Sequence, residues 1–280
     1  MSCSELSRAA GLALAGTAGR ADRWLLLEHR PPWGPDGTDD SGLPEALVEW
    51  FREIDDRVHL IRRPGRPQGP PLAFAARTTE SGGSLVQLPV ERLEDVLEID
   101  VLRDGMPVEG PLVLVCTHAR RDVCCGTLGA PVYNALRRHV PNERLWRSSH
   151  QGGHRFAANV LALPEAVQLG RVMPDAAEEV AHALGERRIP LRFYRGRTLH
   201  APEVQAADAA VRVALGLDRL EDVRLLTQDG PRVVLSTPRG PVDVTVEERE
   251  GPHLPAGCGK EAEPMHVLEA TVHGLEPVAP

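Results

Sequence analysis

Short apolar runs alternate with segments of helical periodicity along the first hundred residues. Four runs bounded by polar or Gly/Pro-rich segments are predicted to be strands, at 24–28, 58–61, 72–76 and 84–88. Apolar side chains recur at helical spacing between the first two strands, which predicts a helix at 44–54, and a shorter helix is expected around Glu94. The predicted order is therefore strand, helix, strand, strand, strand, helix.

The same order recurs after residue 111 with little residue identity. Its predicted elements are a strand at 112–115, a helix at 131–139, strands at 144–148, 156–163 and 166–172, and a helix at 175–187. This order is typical of a thioredoxin-like unit, so the sequence predicts an α/β protein with two thioredoxin-like halves. We expect a degenerate half at 1–103 and a half that carries the chemistry at 104–190.

The last third of the chain changes character. A helix is predicted at 203–215, followed by strands at 223–227, 232–236, 242–246 and 267–272. Asp229-Gly230-Pro231 and Pro238-Arg239-Gly240 separate the first three strands, which indicates an antiparallel meander. Residues 191–280 are therefore predicted to form an appendage of one helix and a small β-meander.

Composition narrows the class of protein. The 280 residues are 42% hydrophobic and 26% charged, with a formal net charge of -8, which is ordinary for a globular protein and makes nucleic acid an unexpected partner. No run approaches the roughly 18 apolar residues of a membrane span, so we expect no membrane partner. The first residues lack the basic start of a signal peptide, which predicts a cytoplasmic protein.

Three of the five cysteines lie within ten residues, which indicates metal or redox chemistry rather than a secreted disulfide framework. Cys116 ends a predicted strand, and Cys125 follows after eight intervening residues. Gly126, Gly129 and Pro131 predict a turn into the next helix. Cys125 would then lie near a helix N-terminus, where the partial positive charge favours a thiolate.

His150 and His154 follow the next predicted strand and are separated by Gln-Gly-Gly, which favours a sharply turned loop over a helix. Two cysteines and two histidines form a ligand set that suits a tetrahedral zinc ion or a 2Fe–2S cluster. Zinc-knuckle cysteines lie two to four residues apart, and the wider spacing of Cys116 and Cys125 favours the larger cluster.

Two segments resemble the signature of the sucrase/ferredoxin-like family: CTHARRDVCC at 116–125 and SHQGGHRFAANV at 149–160. Weaker similarity covers 14–18, 24–28 and 32–34, so about two thirds of the chain resembles the family. The resemblance implies a thioredoxin-like ferredoxin that binds a 2Fe–2S cluster through Cys116, Cys125, His150 and His154. The sequence shows no paired carboxylates that would indicate glycoside hydrolysis.

This resemblance predicts one-electron transfer at an intermediate-to-high potential, with reduction coupled to proton uptake, because histidine ligands lower the negative charge of the cluster. An unidentified redox donor or acceptor protein is the expected partner. Arg120, Arg121 and Arg155 flank the ligands and are predicted to bind the cofactor or to form a docking rim.

Two alternatives remain open from the sequence, as does the question of whether the protein is an enzyme. One is a thiol–disulfide oxidoreductase that uses Cys116, Cys124 or Cys125. The other is a zinc-stabilised binding module. Of the remaining cysteines, Cys3 is expected to be exposed, and Cys258 is expected to lie on a loop away from the ligands.

Overall fold

The protein is a mixed α/β structure built on two sheets, as seen in a computed structural model that describes residues 1–65 and 69–274. The α-helices in the described residues are α1 (Cys3–Ala9), α2 (Glu45–Glu53), α3 (Val101–Asp104), α4 (Val123–Leu136), α5 (Ala177–Gly185) and α6 (Pro202–Leu215). The mixed α/β class is confirmed. The last six residues of the predicted appendage, 275–280, lie outside the described residues.

The larger sheet has ten strands and runs through most of the first 200 residues. Its strands are β1 (Arg23–Glu28), β2 (Arg57–Arg62), β3 (Leu72–Thr79), β4 (Gly82–Pro89), β5 (Met106–Pro107), β6 (Leu112–Cys116), β7 (Leu145–Ser148), β8 (Val160–Leu163), β9 (Val167–Leu169) and β10 (Tyr194–Arg197). They are arranged in the order β10-β9-β8-β6-β7-β2-β1-β3-β4-β5.

The sheet consists of two similar halves. In each half, two strands pair in parallel through an intervening helix, β1 with β2 and β6 with β7. The next strand along the chain, β3 or β8, returns antiparallel on the other side of the first strand. The halves meet where β2 pairs antiparallel with β7, through Ile61 opposite Ser148 and Arg62 opposite Arg147.

The two halves share buried apolar contacts. Every residue of β6 is buried, and five of the six residues of β1 are, because strands covered on both faces are apolar along their whole length. One core cluster combines Trp24 and Phe74 of the first half with Leu114 and Trp146 of the second half. Phe74 and Trp146 meet edge to face, with ring centroids 5.5 Å apart. One core cluster therefore spans both halves of the sheet.

Helix α4 begins eight residues earlier than the sequence indicates. Gly126, Gly129 and Pro131, predicted to form a turn, all lie inside it. A Cβ atom at Gly129 would lie 2.0 Å from the carbonyl oxygen of Cys116, and one at Gly126 would lie 2.4 Å from Cβ of Ala119. The two glycines thus allow the helix backbone to approach the end of β6 closely, which is their role in place of a turn.

The smaller sheet is an antiparallel meander in the last third of the chain. Its strands are β11 (Arg224–Asp229), β12 (Arg232–Thr237), β13 (Gly240–Pro255) and β14 (Ala262–His273). Strands β13 and β14 extend well beyond the short runs predicted for them, so the loop that joins them projects beyond the smaller sheet. Helix α6 packs its apolar face on this sheet. Of the described helices, none is long and apolar enough to cross a membrane.

We expect Gly129→Ala to destabilise the protein, because the added methyl group would collide with the backbone of Cys116. Overpacking of this kind costs about 1–3 kcal/mol of unfolding free energy. The matched control is Gly185→Ala in α5, where a Cβ atom would meet nothing within 4 Å and alanine favours the helix by up to about 1 kcal/mol. Urea denaturation measures the unfolding free energy of both variants. Equal stability of the two would contradict the close approach of Gly129 to Cys116.

Candidate functional site

The predicted ligands lie at one edge of the larger sheet. Cys116 is the last residue of β6, and His150 follows the end of β7. Because β6 and β7 are parallel, with Cys116 opposite Ser148, their carboxyl ends lie side by side. Cys125 reaches the same edge from the first turn of α4, which the close approach of Gly129 holds against Cys116. The fold thus brings together groups that are far apart in the sequence.

Three of the four predicted ligands converge. The sulfur atoms of Cys116 and Cys125 and a ring nitrogen of His150 all lie within 4.8 Å of one another. Nδ1 of His150 is 3.6 Å from Sγ of Cys125. Both cysteines are fully buried, whereas His150 is half-buried.

The two buried thiols differ in proton affinity. The neighbouring Cys125 thiol, whose effect outweighs that of burial, holds the pKa of Cys116 well below its ordinary value, and His150 lowers it further. Cys116 in turn, together with burial, raises the pKa of Cys125. The pKa of Cys116 is thus shifted toward the thiolate form and that of Cys125 toward the thiol. A thiolate is the form of cysteine that binds metals.

His154 lies beside this group. Its ring centroid is 5.2 Å from that of His150. Its Nε2 contacts the carbonyl oxygen of Ala256 and is 3.8 Å from Oδ2 of Asp122. Its Nδ1 is buried without a hydrogen-bond partner among the described residues. Burial lowers the pKa of His154, which favours the neutral imidazole that can coordinate a metal.

The loop between the two histidines is held by Arg195 of β10, a residue outside the sequence motifs. Gly152 and Gly153 both adopt positive φ angles, +88° and +68°. Nη1 of the buried Arg195 donates hydrogen bonds to the carbonyl oxygen of Gly152 at 3.1 Å and to Oδ1 of Asn159 at 2.9 Å. Asn159 Nδ2 in turn donates to the carbonyl oxygen of Gly153 at 3.0 Å. Arg195 therefore fixes the histidine loop.

The three arginines predicted to bind the cofactor point elsewhere. Arg120 is exposed, and Arg121 forms an ion pair with Asp36. Arg155 donates to the carbonyl oxygen of Ala256 at 3.5 Å. In the contacts of the described residues, none of these guanidinium groups donates to the converging cysteines or to His150. The role predicted for the three arginines stays a prediction.

Of the other cysteines, Cys3 departs from the exposed position expected of it, and Cys258 lies on a loop as expected. Cys3 is 2% exposed rather than solvent-facing, because α1 docks onto the loop after His154. Ser4 Oγ donates to the carbonyl oxygen of Ala157 at 3.1 Å in this contact. Cys258 lies in the loop between β13 and β14, and its sulfur is 3.3 Å from that of Cys124. Cys124 therefore faces away from Cys116, although it adjoins Cys125 in the sequence.

The donor set of the converging group suits a transition metal. Thiolate and neutral imidazole are the ligands of zinc and of Rieske-like iron–sulfur centres. The unpartnered, buried Nδ1 of His154 beside His150 supplies a further nitrogen without a competing hydrogen bond in the described residues. The converging group therefore offers a metal two sulfur atoms and one nitrogen atom, and His154 lies beside it without belonging to the set of donor atoms within 4.8 Å.

Residues 14–196 match the sequence profile of a family described as Sucrase/ferredoxin-like. Similar curated proteins include several named Altered inheritance of mitochondria protein 32. That of Clavispora lusitaniae is 33% identical over 101 residues, which are 33% of this chain and 37% of that protein. That of Meyerozyma guilliermondii is 27% identical over 117 residues, 38% of this chain and 42% of that protein. That of Eremothecium gossypii is 29% identical over 106 residues, which are 33% of this chain and 34% of that protein.

The chain thus spans less than half the length of these relatives. No solved structure matches the chain significantly.

These names correct the function predicted from sequence. We expected an iron–sulfur protein that transfers one electron, with a thiol–disulfide oxidoreductase or a zinc-stabilised binding module as alternatives. The relatives are instead named for inheritance of mitochondria, and their names refer neither to an iron–sulfur cluster nor to electron transfer. The prediction of an iron–sulfur electron carrier is therefore wrong on these findings.

We expect Arg195→Lys to destabilise the protein, since a lysine ammonium cannot reproduce the forked contacts to Gly152 and Asn159. Buried acceptors left without a donor cost about 1–3 kcal/mol of unfolding free energy. The matched control is Arg192→Lys, which alters an exposed ion pair with Glu179 and should change stability by less than about 1 kcal/mol. If urea denaturation gives the two variants the same midpoint, Arg195 does not hold the loop.

Proposed function

Because this chain belongs to the sucrase/ferredoxin-like family, we propose that it is a metal-binding protein whose metal is held by Cys116, Cys125, His150 and His154. The proposal concerns binding of a transition metal and does not include electron transfer. Its main support is the convergence, within 4.8 Å, of two buried sulfur atoms and one imidazole nitrogen carried by three separate elements. His154, whose Nδ1 has no hydrogen-bond partner among the described residues, completes the proposed set.

The sulfur ligands, kept from water by packing, give the site its proposed selectivity for soft metals. Thiolates favour zinc, copper(I) and iron–sulfur groups over magnesium or calcium, which prefer oxygen ligands. Burial of Cys116 and Cys125 excludes water from the sulfur side, and Arg195 orients the histidine loop. When bound, a metal would keep both sulfur atoms as thiolates. That the bound group is a 2Fe–2S cluster stays a prediction. Analysis of the purified protein for iron, sulfide and zinc tests it.

We also propose that each half of the larger sheet is a thioredoxin-like unit, the first degenerate and the second carrying the site. The support is the shared arrangement of one parallel strand pair followed by an antiparallel return strand. The division of the chain at residues 103 and 190, with an appendage thereafter, likewise stays a prediction.

Location and partners are further proposals. The sequence predicts a cytoplasmic protein, whereas the names of the yeast relatives refer to mitochondria. Fractionation of cells that produce the protein distinguishes these locations: recovery with mitochondria would contradict the cytoplasmic prediction. An unidentified redox protein as partner, and the lack of nucleic-acid and membrane partners, stay predictions from the sequence.

Metal analysis of the purified full-length protein tests the proposed function. We expect Cys116→Ser and His150→Ala each to lose the metal of this site, because each removes a converging donor atom. His154→Ala should weaken metal binding by about tenfold or more, as loss of a ligand or of its supporting group does. The readout is metal per chain, by elemental analysis, after a competing chelator is added.

His139→Ala provides the matched control, because this histidine is exposed in the turn that follows α4 and its loss should leave the metal content unchanged. The proposal fails if Cys116→Ser and His150→Ala retain as much metal as the wild type and His139→Ala.

A further inference from the structure

Three cysteines from distant parts of the chain meet beside the proposed metal site. Cys3 is the first residue of α1, Cys124 is the second residue of α4, and Cys258 lies in the β13–β14 loop. Their sulfur atoms form a triangle with edges of 3.4 Å (Cys3 to Cys124), 3.3 Å (Cys124 to Cys258) and 3.5 Å (Cys3 to Cys258). We call these residues, together with Asp122, the Cys3 cluster.

The carboxylate of Asp122 closes the Cys3 cluster. The donor atoms of its four residues all lie within 4.8 Å of one another. Asp122 Oδ1 accepts a hydrogen bond from the backbone N–H of Cys124 at 2.8 Å, and Oδ2 accepts one from the N–H of Cys258 at 2.9 Å. Each carboxylate oxygen has a second lone pair, so the group stays able to coordinate a cation while both bonds orient it.

We propose that the Cys3 cluster binds a structural Zn²⁺ ion through Cys3, Cys124, Cys258 and Asp122. Structural zinc sites are tetrahedral, use protein ligands in all four positions and favour cysteine sulfur. A Zn–S distance of about 2.3 Å places the sulfur atoms of such a site about 3.8 Å apart. The triangle is only a few tenths of an ångström tighter than that, so a zinc ion needs a small outward movement of the thiols.

The geometry favours a metal over a disulfide. A disulfide joins two sulfur atoms at about 2.05 Å and would leave the third thiol and the carboxylate without a role. All five cysteines are free, and the three edges of the triangle are nearly equal, so no pair is preferred. Cys3, Cys124 and Asp122 are also 2–7% exposed, which matches a closed site rather than a catalytic one with an open position.

The location indicates what the zinc ion would do. Helix α1 has seven residues, too few to be stable by itself in water. The β13–β14 loop, which carries Cys258, extends from the smaller sheet to the edge of the larger one. A zinc ion in the Cys3 cluster would fasten both segments to the first turn of α4. This role is structural and does not depend on whether the neighbouring site of Cys116 and His150 holds a metal.

Zinc content of the full-length protein tests this proposal. We expect Cys3→Ser and Cys258→Ser each to contain one zinc equivalent less than the wild type after exposure to a competing chelator. Lys260→Ala, an exposed change in the same loop, should keep the wild-type zinc content. Cys258 is half-buried in a loop, so its variant remains informative if Cys3→Ser does not fold. Circular dichroism verifies folding.

Cobalt substitution gives a second readout. Co²⁺ added to the metal-free wild type should produce the thiolate charge-transfer and tetrahedral ligand-field bands, and part of this absorption should be lost in Cys258→Ser. Cys116→Ser should keep the zinc of the Cys3 cluster, so failure of the proposed function and failure of this inference are distinguishable. The inference is overturned if Cys3→Ser and Cys258→Ser match the wild type in zinc, or if anaerobically purified protein has a disulfide within the cluster.

Discussion

The close packing of α4 against the end of β6 is the constraint on which the rest of the site depends. Gly129 places the helix backbone in contact with Cys116, and Asp122 caps the helix through the N–H of Cys124. With its axis fixed in this way, the helix presents two consecutive cysteines to different surroundings. Cys125 faces Cys116 and His150, while Cys124 faces Cys3 and Cys258. Any displacement of the first turn of α4 would disturb both groups.

The first half of the sheet supports the site although it contributes none of the converging donor atoms. Ser149, next to His150, donates its N–H to the carbonyl oxygen of Leu60 at 2.7 Å, and its Oγ accepts from the N–H of Leu60 at 3.1 Å. Leu60 belongs to β2, so the first half anchors the histidine loop. Where Cys116 ends β6, Glu28 ends β1 and accepts a hydrogen bond from the N–H of Leu72. Corresponding positions of the two halves thus carry a converging thiol in one and a carboxylate that accepts a backbone hydrogen bond in the other.

Sequence reasoning succeeded where the signal was local. The continuous apolar runs of β1 and β6 and the periodic face of α2 lie where they were predicted, because buried strands and amphipathic helices carry their pattern within a few residues. The start of α4 was missed because Gly126 and Gly129 serve a tertiary contact that has the same sequence signature as a turn. Arg195 and Cys258 could not be found, since their partners are tens to hundreds of residues away. The predicted function was wrong although the family was recognised, because neither the ligand spacing nor a family resemblance specifies what a protein does.

The wide sequence separation within the Cys3 cluster has a consequence for biosynthesis. Cys116, Cys125 and His150 lie within 35 consecutive residues, so their group can assemble while the ribosome is still making the last third of the chain. The triangle of thiols must wait for Cys258 to emerge. Until then, Cys3 and Cys124 are thiols without the third cysteine of the cluster. They stay reduced only if the surroundings of the nascent chain are reducing. The order of synthesis therefore allows the two groups to form in two stages, with the Cys3 cluster last.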